Sequence, residues 1–319
     1  MTAATADWPW LEGPRQQLRG AWHDGRLPHA VLLTGPAEIG KFALARWLAS
    51  MVLCSADRGP CGHCASCALQ AAGNHPDLMI CGLLEDAASI KIEQIRGLIE
   101  TMTLKSYLGG YKVAILSPAD RMNVHSFNAL LKLLEEPSER TLLVLTAARL
   151  DTIPVTVASR CQRLRLPLPA REQAIQWLGT REAGADWSFL LALAGGVPQQ
   201  ARRLDEQGVE KLFIEVAQSA GGGALDVVAS GKQWADDRPA ERLQCLDRWL
   251  VALARRTFGS DPVNNSHRFN LPSSGRLPDI ADLIRLIDAT RETLFRLDGQ
   301  SNVQLMLEAL LVRLKGTFG

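Results

Sequence analysis

The sequence predicts an α/β domain built on a parallel sheet, followed by a small helical region and a longer all-helical one. Three observations carry this. Short aliphatic or β-branched runs alternate with helix-periodic segments through residues 30–166, the pattern of strands joined by crossover helices. A glycine-containing loop from Gly35 to Lys41 joins the first run to the first of these helices. Pro167 and Pro169 then break the alternation, and no convincing strand signal follows them.

The candidate strands are Ala30–Thr34, Leu78–Cys81, Lys112–Leu116, Leu142–Thr146 and Arg163–Leu166. Between them, Lys41–Leu53, Lys91–Thr103 and Asn123–Glu136 place apolar residues at helical spacing, and Pro137 stops the last of these. Asp120 reads as an N-cap for the helix that begins near Asn123, and a short helix is expected near Ile153–Ala158. These elements make a first domain over residues 1–167. A second, over 168–207, reads as short helices around the turn Gly195-Gly196-Val197-Pro198, small enough to be a lid on the first. The third, over 208–319, carries longer amphipathic helices. Its apolar stripes are Leu243, Leu246, Trp249, Leu250 and Leu253, then Ile280, Leu283, Ile284 and Ile287, then Val303, Leu307, Leu310, Leu311 and Leu314. Ser301 with Gln304 suggests a capping box for the last helix, and the Asn-, Ser- and Pro-rich stretch Ser260–Ser274 reads as a loop.

With 319 residues, 47% hydrophobic and 22% charged, the chain can bury a sizeable core. No segment offers the roughly 18 uninterrupted apolar residues of a membrane span, and the start lacks the basic-then-apolar order of a secretion signal. A cytoplasmic protein without membrane contact is expected. A formal net charge of +1 supplies no global field for nucleic acid, so any DNA contact has to come from a local patch or a larger assembly.

The seven cysteines are unevenly placed. Cys54, Cys61, Cys64 and Cys67 crowd into one stretch, a spacing that suggests metal and not a disulfide framework. Two successive C-x2-C turns present sulfur pairs to a tetrahedral ion, and a closed four-sulfur shell predicts structural zinc. Gly62 suits the tight turn, while His63 and His75 are spare ligands that four cysteines do not need. Cys81, Cys161 and Cys245 read as small buried hydrophobes. A zinc-dependent nucleic-acid-binding protein is a rival reading, but only Arg58 and His63 lie among the cysteines, which is little for phosphate or base contact.

Gly35-Pro36-Ala37-Glu38-Ile39-Gly40-Lys41-Phe42 fits a phosphate loop of the form G-x-x-x-x-G-K-[ST] except at its last position. Backbone amides and Lys41 can still cradle phosphates. Phe42, however, replaces the hydroxyl that binds magnesium. A P-loop ATPase also needs carboxylates at the end of a second strand, and here Val113-Ala114-Ile115-Leu116 ends in Ser117-Pro118. Two separate losses predict that the isolated chain does not hydrolyse ATP.

The run Ser126-Phe127-Asn128-Ala129-Leu130-Leu131-Lys132-Leu133-Leu134-Glu135-Glu136-Pro137 closely resembles the signature of bacterial clamp-loader subunits of the AAA+ class. Aligned on it, Ser117 and Pro118 fall where the family's motor subunits carry Asp and Glu. The cysteine insertion is similar to the family's zinc module. Ser159-Arg160-Cys161 resembles its Ser-Arg-Cys motif, whose arginine reaches into the ATP site of the adjacent subunit. Gly195-Gly196-Val197-Pro198 followed by Arg202 resembles its second sensor, and Thr146 sits at the strand end where the first sensor belongs.

The resemblance covers residues 10–205, and the C-terminal third is similar only as an all-helical collar of suitable length. It implies an AAA+ domain with lid and collar, working in DNA replication within a hetero-pentamer that loads the sliding clamp on primer-template DNA. Tau/gamma and delta subunits are the implied partners, within a DNA-directed DNA polymerase holoenzyme whose polymerase constellation this chain lacks. Gly35, Gly40, Lys41, Thr146 and Arg202 would form a degenerate ATP or ADP site, and Arg160 would act in trans. The alternative is an active tau/gamma-like ATPase in which Lys41 and an unusual metal ligand such as Asp120 suffice.

Overall fold

Five strands, β1 (Ala30–Thr34), β2 (Leu78–Cys81), β3 (Lys112–Leu116), β4 (Thr141–Ala147) and β5 (Gln162–Arg165), pair in parallel in the order β2-β3-β4-β1-β5. We describe residues 8–57, 59–85, 87–180, 185–221, 225–257, 278–297 and 302–318 from a computed structural model. The central strands β1, β3 and β4 are buried at every position. That explains their nearly unbroken apolar sequences, because a parallel sheet with helices on both faces has no solvent side to alternate toward. The edge strands β2 and β5 are more exposed, and β5 carries Arg163 and Arg165 at exposed positions.

Alternate residues still choose different faces. Ala30, Leu32, Ala114, Leu116, Leu143 and Leu145 join one core cluster with Ile95, Leu98 and Met102 of α4 (Ile92–Thr103) and Phe127, Leu130 and Leu134 of α5 (Val124–Glu135). Helix α2 (Lys41–Leu53) packs across β1, β3 and β4. It in turn meets α1 (Glu12–His23), from which Arg15 and Arg19 reach over the Trp47 ring at 5.9 and 5.4 Å. A short α3 (Ala65–Ala71) lies in the cysteine-rich insertion, and α6 (Val155–Ala158) leads into β5. This is the parallel-sheet α/β domain that the sequence predicts.

One expectation in this domain is corrected. Asp120 does not cap α5; Asn123, directly before the helix, accepts from the Ser126 amide at 2.8 Å. The Asp120 carboxylate instead receives the Ala148 and Arg149 amides, each at 3.1 Å, just beyond β4. An N-cap has to reach the N2 or N3 amide, and Asn123 occupies that place.

Two compact units are distinguished, Met1–Gln173 and Ala174–Gly319. The second is helical throughout its described residues: α8 (Trp187–Leu193), α9 (Pro198–Glu206), α10 (Val209–Gly221), α11 (Val227–Asp236), α12 (Pro239–Thr257), α13 (Ile280–Arg296) and α14 (Val303–Phe318) follow α7 (Arg171–Gly179). Leu243, Leu246, Trp249, Leu250 and Leu253 are fully buried on α12, which packs along α13. On α13 the expected stripe is rotated. Ile284 is 49% exposed, and the buried face is Leu283, Leu286, Ile287, Thr290 and Thr293, because these share the i, i+3, i+4, i+7 row while Ile284 lies a third of a turn away. Leu307, Leu310, Leu311 and Leu314 are buried on α14 as expected. Ser260–Ser274 and Ser301 lie outside the described residues; Asn302 accepts from the Leu305 amide at 3.0 Å at the start of α14. Among the described residues, no helix is long and apolar enough to cross a membrane.

Candidate functional site

The carboxyl ends of β1, β4 and β3 lie side by side, the edge at which open parallel sheets bind ligands. The loop after β1 needs its glycines. Gly35 has φ +145° and a side chain there would meet Leu166 O at 2.6 Å; Gly40 has φ +103° and a Cβ would fall 2.2 Å from the Trp8 ring. Lys41 is 8% exposed, and its amine donates to the loop's own carbonyls, Gly35 O at 2.8 Å and Pro36 O. Burial lowers its pKa, while the charge of Asp120 acts the other way. Phe42, in place of the magnesium hydroxyl, is 40% exposed on the first turn of α2.

Next to the loop, Thr146 is buried and donates its hydroxyl to Ser117 Oγ at 2.7 Å. The strand end therefore presents two neutral hydroxyls bonded to each other, where a carboxylate would hold a cation. Asp120, which follows β3, is one nearby acid. Its Oδ2 is committed to two amides, and its Oδ1 is buried without a hydrogen-bond partner from the protein. Arg202 belongs to the second unit, on α9, where it pairs with Glu206 at 3.2 Å.

The four clustered cysteines converge. Their sulfurs lie within 4.8 Å of one another, with Cys54 to Cys64 at 3.9 Å and Cys61 to Cys67 at 4.0 Å. A tetrahedral shell with Zn–S near 2.3 Å needs sulfurs about 3.8 Å apart, so the set fits such an ion. Amides of Ala56 and Cys61 donate to Cys54 Sγ, and that of Cys67 to Cys64 Sγ, each at 3.4 Å. These donors favour thiolates. A hydrogen bond from the Ser55 hydroxyl, then the Cys67 amide, hold the Cys64 thiol down to about 5, and the His63 and Cys64 amides lower Cys61. Burial pushes Cys67 up to about 12. Gly62 turns the knuckle at φ +79°.

Neither histidine joins the cluster. His63 Nδ1 meets Cys61 O at 2.8 Å, whereas His75 is buried between Ser66 Oγ at 2.9 Å and the Asp77 amide at 3.1 Å. The isolated Cys81, Cys161 and Cys245 are buried, and burial raises all three thiols, Cys161 and Cys245 to about 11.

Arg160 sits between α6 and β5. Because Val31 is level with Gln162 and Thr34 with Arg165, Arg160 precedes the strand at the amino edge of the sheet, while the phosphate loop follows Thr34 at the carboxyl edge. At about 3.3 Å per residue, roughly 13 Å of strand separates the two edges. Its side chain is 37% exposed, bonded to Glu135 Oε1 at 2.7 Å and Thr156 O at 2.8 Å.

Sequence reasoning missed the tryptophans on the phosphate loop. Trp10 donates to Ile39 O at 2.9 Å and Trp8 packs on Gly40, and the only signal was a Trp-Pro-Trp run ahead of the first strand. It also missed Asp77, whose carboxylate takes the Ser106 hydroxyl and the Tyr107 and Leu108 amides at 2.7 to 3.0 Å.

The family described as DNA polymerase III, delta subunit, matches residues 12–170. The delta' subunit of DNA polymerase III from Pseudomonas aeruginosa is 41% identical over 217 residues, 66% of this chain and 65% of that protein, just under two thirds of its length. The delta' subunit from Escherichia coli is 30% identical over 324 residues, which cover 97% of this chain and 95% of that protein. Among solved structures, a gamma subunit-related protein of DNA polymerase III from Thermotoga maritima aligns over 95% of this chain and all of its own, at 17% identity and a TM-score of 0.49.

Proposed function

This chain belongs to the delta' subunits of DNA polymerase III, and from that premise we propose that it is the non-hydrolysing member of the clamp loader, supplying Arg160 to the ATP site of a neighbouring subunit. In this reading tau/gamma and delta are its partners in a hetero-pentamer, and the assembly handles the sliding clamp and primer-template DNA. Residues 168–207 serve as a lid and 208–319 as the collar. Zinc held by Cys54, Cys61, Cys64 and Cys67 supplies a structural crosslink in the insertion and no chemistry. Gly35, Gly40, Lys41 and Thr146 are what remains of a nucleotide site in the first unit.

The observation that carries the reading is the position of Arg160. It stands exposed at the sheet edge opposite its own phosphate loop, so a phosphate it neutralises has to come from another chain. The test is clamp- and DNA-stimulated ATPase of the reconstituted assembly, with the motor subunits' own fingers removed so that only the facing site reports. Arg160→Ala should leave assembly intact and lower that turnover steeply, since arginines acting in trans are worth about 10³ to 10⁵ in other phosphoryl-transfer systems. Unchanged hydrolysis would reduce the chain to a scaffold.

A second reading, a residual ATPase, is favoured by one observation: Asp120 has a buried oxygen free of protein partners and its charge acts on Lys41. Magnesium-dependent turnover by the chain alone that vanishes in Asp120→Asn would establish it.

A further inference from the structure

We propose that Glu135 is a positioning residue for Arg160, holding the guanidinium in the orientation from which a neighbour's phosphate can take it. This rests on the trans-arginine reading above and adds a second residue to it.

Glu135 is the last residue of α5, which packs against α6, and Arg160 follows α6 closely. The ion pair thus ties the end of one helix to the turn after another. Glu135 Oε1 takes Nη2 of Arg160 at 2.7 Å, and Thr156 O takes Nη1 at 2.8 Å. A guanidinium carries five N–H donors in one plane. Two protein acceptors on different nitrogens fix that plane and leave the remaining donors, one on each terminal nitrogen and one on Nε, for an incoming ligand.

Stability does not explain the pair. Its side chains are 37% and 48% exposed, and ion pairs so open to water contribute little to folding. What the contact does accomplish is to remove rotamer freedom from a long side chain before its partner arrives. Pre-orientation of this kind raises turnover without tightening ground-state binding.

The experiment uses the assembly in which only the site facing Arg160 reports, with kcat and KM for ATP measured separately. Glu135→Ala should lower kcat by about 10-fold to 100-fold with KM unchanged. Glu135→Gln, which keeps an acceptor oxygen without the charge, should retain most of the turnover. In an Arg160→Ala background, Glu135→Ala should have no further effect, whereas a merely structural residue would lower activity in both backgrounds. An equal fall in both, or unchanged or raised kcat in the single variant, would overturn the assignment. If Arg160→Ala is itself without effect, the trans-arginine reading fails and this one with it; if Arg160→Ala is impaired and Glu135→Ala is not, only the positioning role fails.

Discussion

The hydroxyl of Thr146 donates to that of Ser117 at 2.7 Å, linking the ends of β4 and β3 beside the phosphate loop. Each oxygen has found a neutral partner. A magnesium ion would have to displace that bond and would gain no negative charge in return.

The isolated chain is therefore expected to release no phosphate from ATP in a magnesium-dependent way. Phosphate release compared between the wild type and Lys41→Ala checks this. Turnover that requires magnesium and falls in the variant is the result against it.

For the cysteine cluster, elemental analysis of protein purified under reducing conditions without chelator should find about one zinc per chain. Cys64→Ser should lose the metal and loosen residues 54–71, since zinc binding in small modules is worth on the order of 10 kcal/mol or more. The sheet, with its own core, should persist in circular dichroism. Full zinc retention in the variant would contradict the ligand set.

Asp77 offers a pH-dependent test. Burial alone would raise its carboxyl, but the Leu108 and Tyr107 amides, the Ser106 hydroxyl and His75 together hold it below its usual value. A folded pKa below the unfolded one, about 3.9, means that the contribution is present above roughly pH 4 and is lost as pH falls through the folded value. Asp77→Asn removes the charge and turns an amide group toward backbone donors, at a cost of about 1–3 kcal/mol. Hydrogen exchange at Tyr107 and Leu108 should rise in the variant; equal protection would show that the carboxylate does not hold this turn.

Gly40→Ala should destabilise the first unit by about 1–3 kcal/mol, because a side chain at φ +103° is strained and its Cβ meets Trp8. Adding Trp8→Ala should recover only the steric share relative to Trp8→Ala alone. Denaturant titrations of the four proteins check it, and complete recovery would remove the backbone argument.

Much of this was legible in the sequence because the central strands are buried on both faces and announce themselves as aliphatic runs. The phosphate loop, the α5 signature and the cysteine spacing are local as well, so each could be read without tertiary knowledge. What sequence did not disclose depends on distant partners. Asp77 is bonded to residues 106–108, and Trp10 to Ile39, contacts that no local window contains. Helix α1 carries few apolar residues and a single buried one, Leu18, which hides its inward face. Ile284 misled for the opposite reason: it is apolar and correctly spaced from Ile280 and Ile287, yet the neighbouring row through Leu286 and Thr290 faces the core.

The strand order also sets a timetable for synthesis. Ala30 has Leu143 as its neighbour on one side, and Val31 has Gln162 on the other, so the first strand to leave the ribosome has no pairing partner until β4 has followed, and its second edge stays open until β5 does. Such long-range closure slows folding and leaves an unpaired aliphatic segment exposed to association with other chains. Truncation before residue 141 would thus leave β1 permanently without either of its native neighbours.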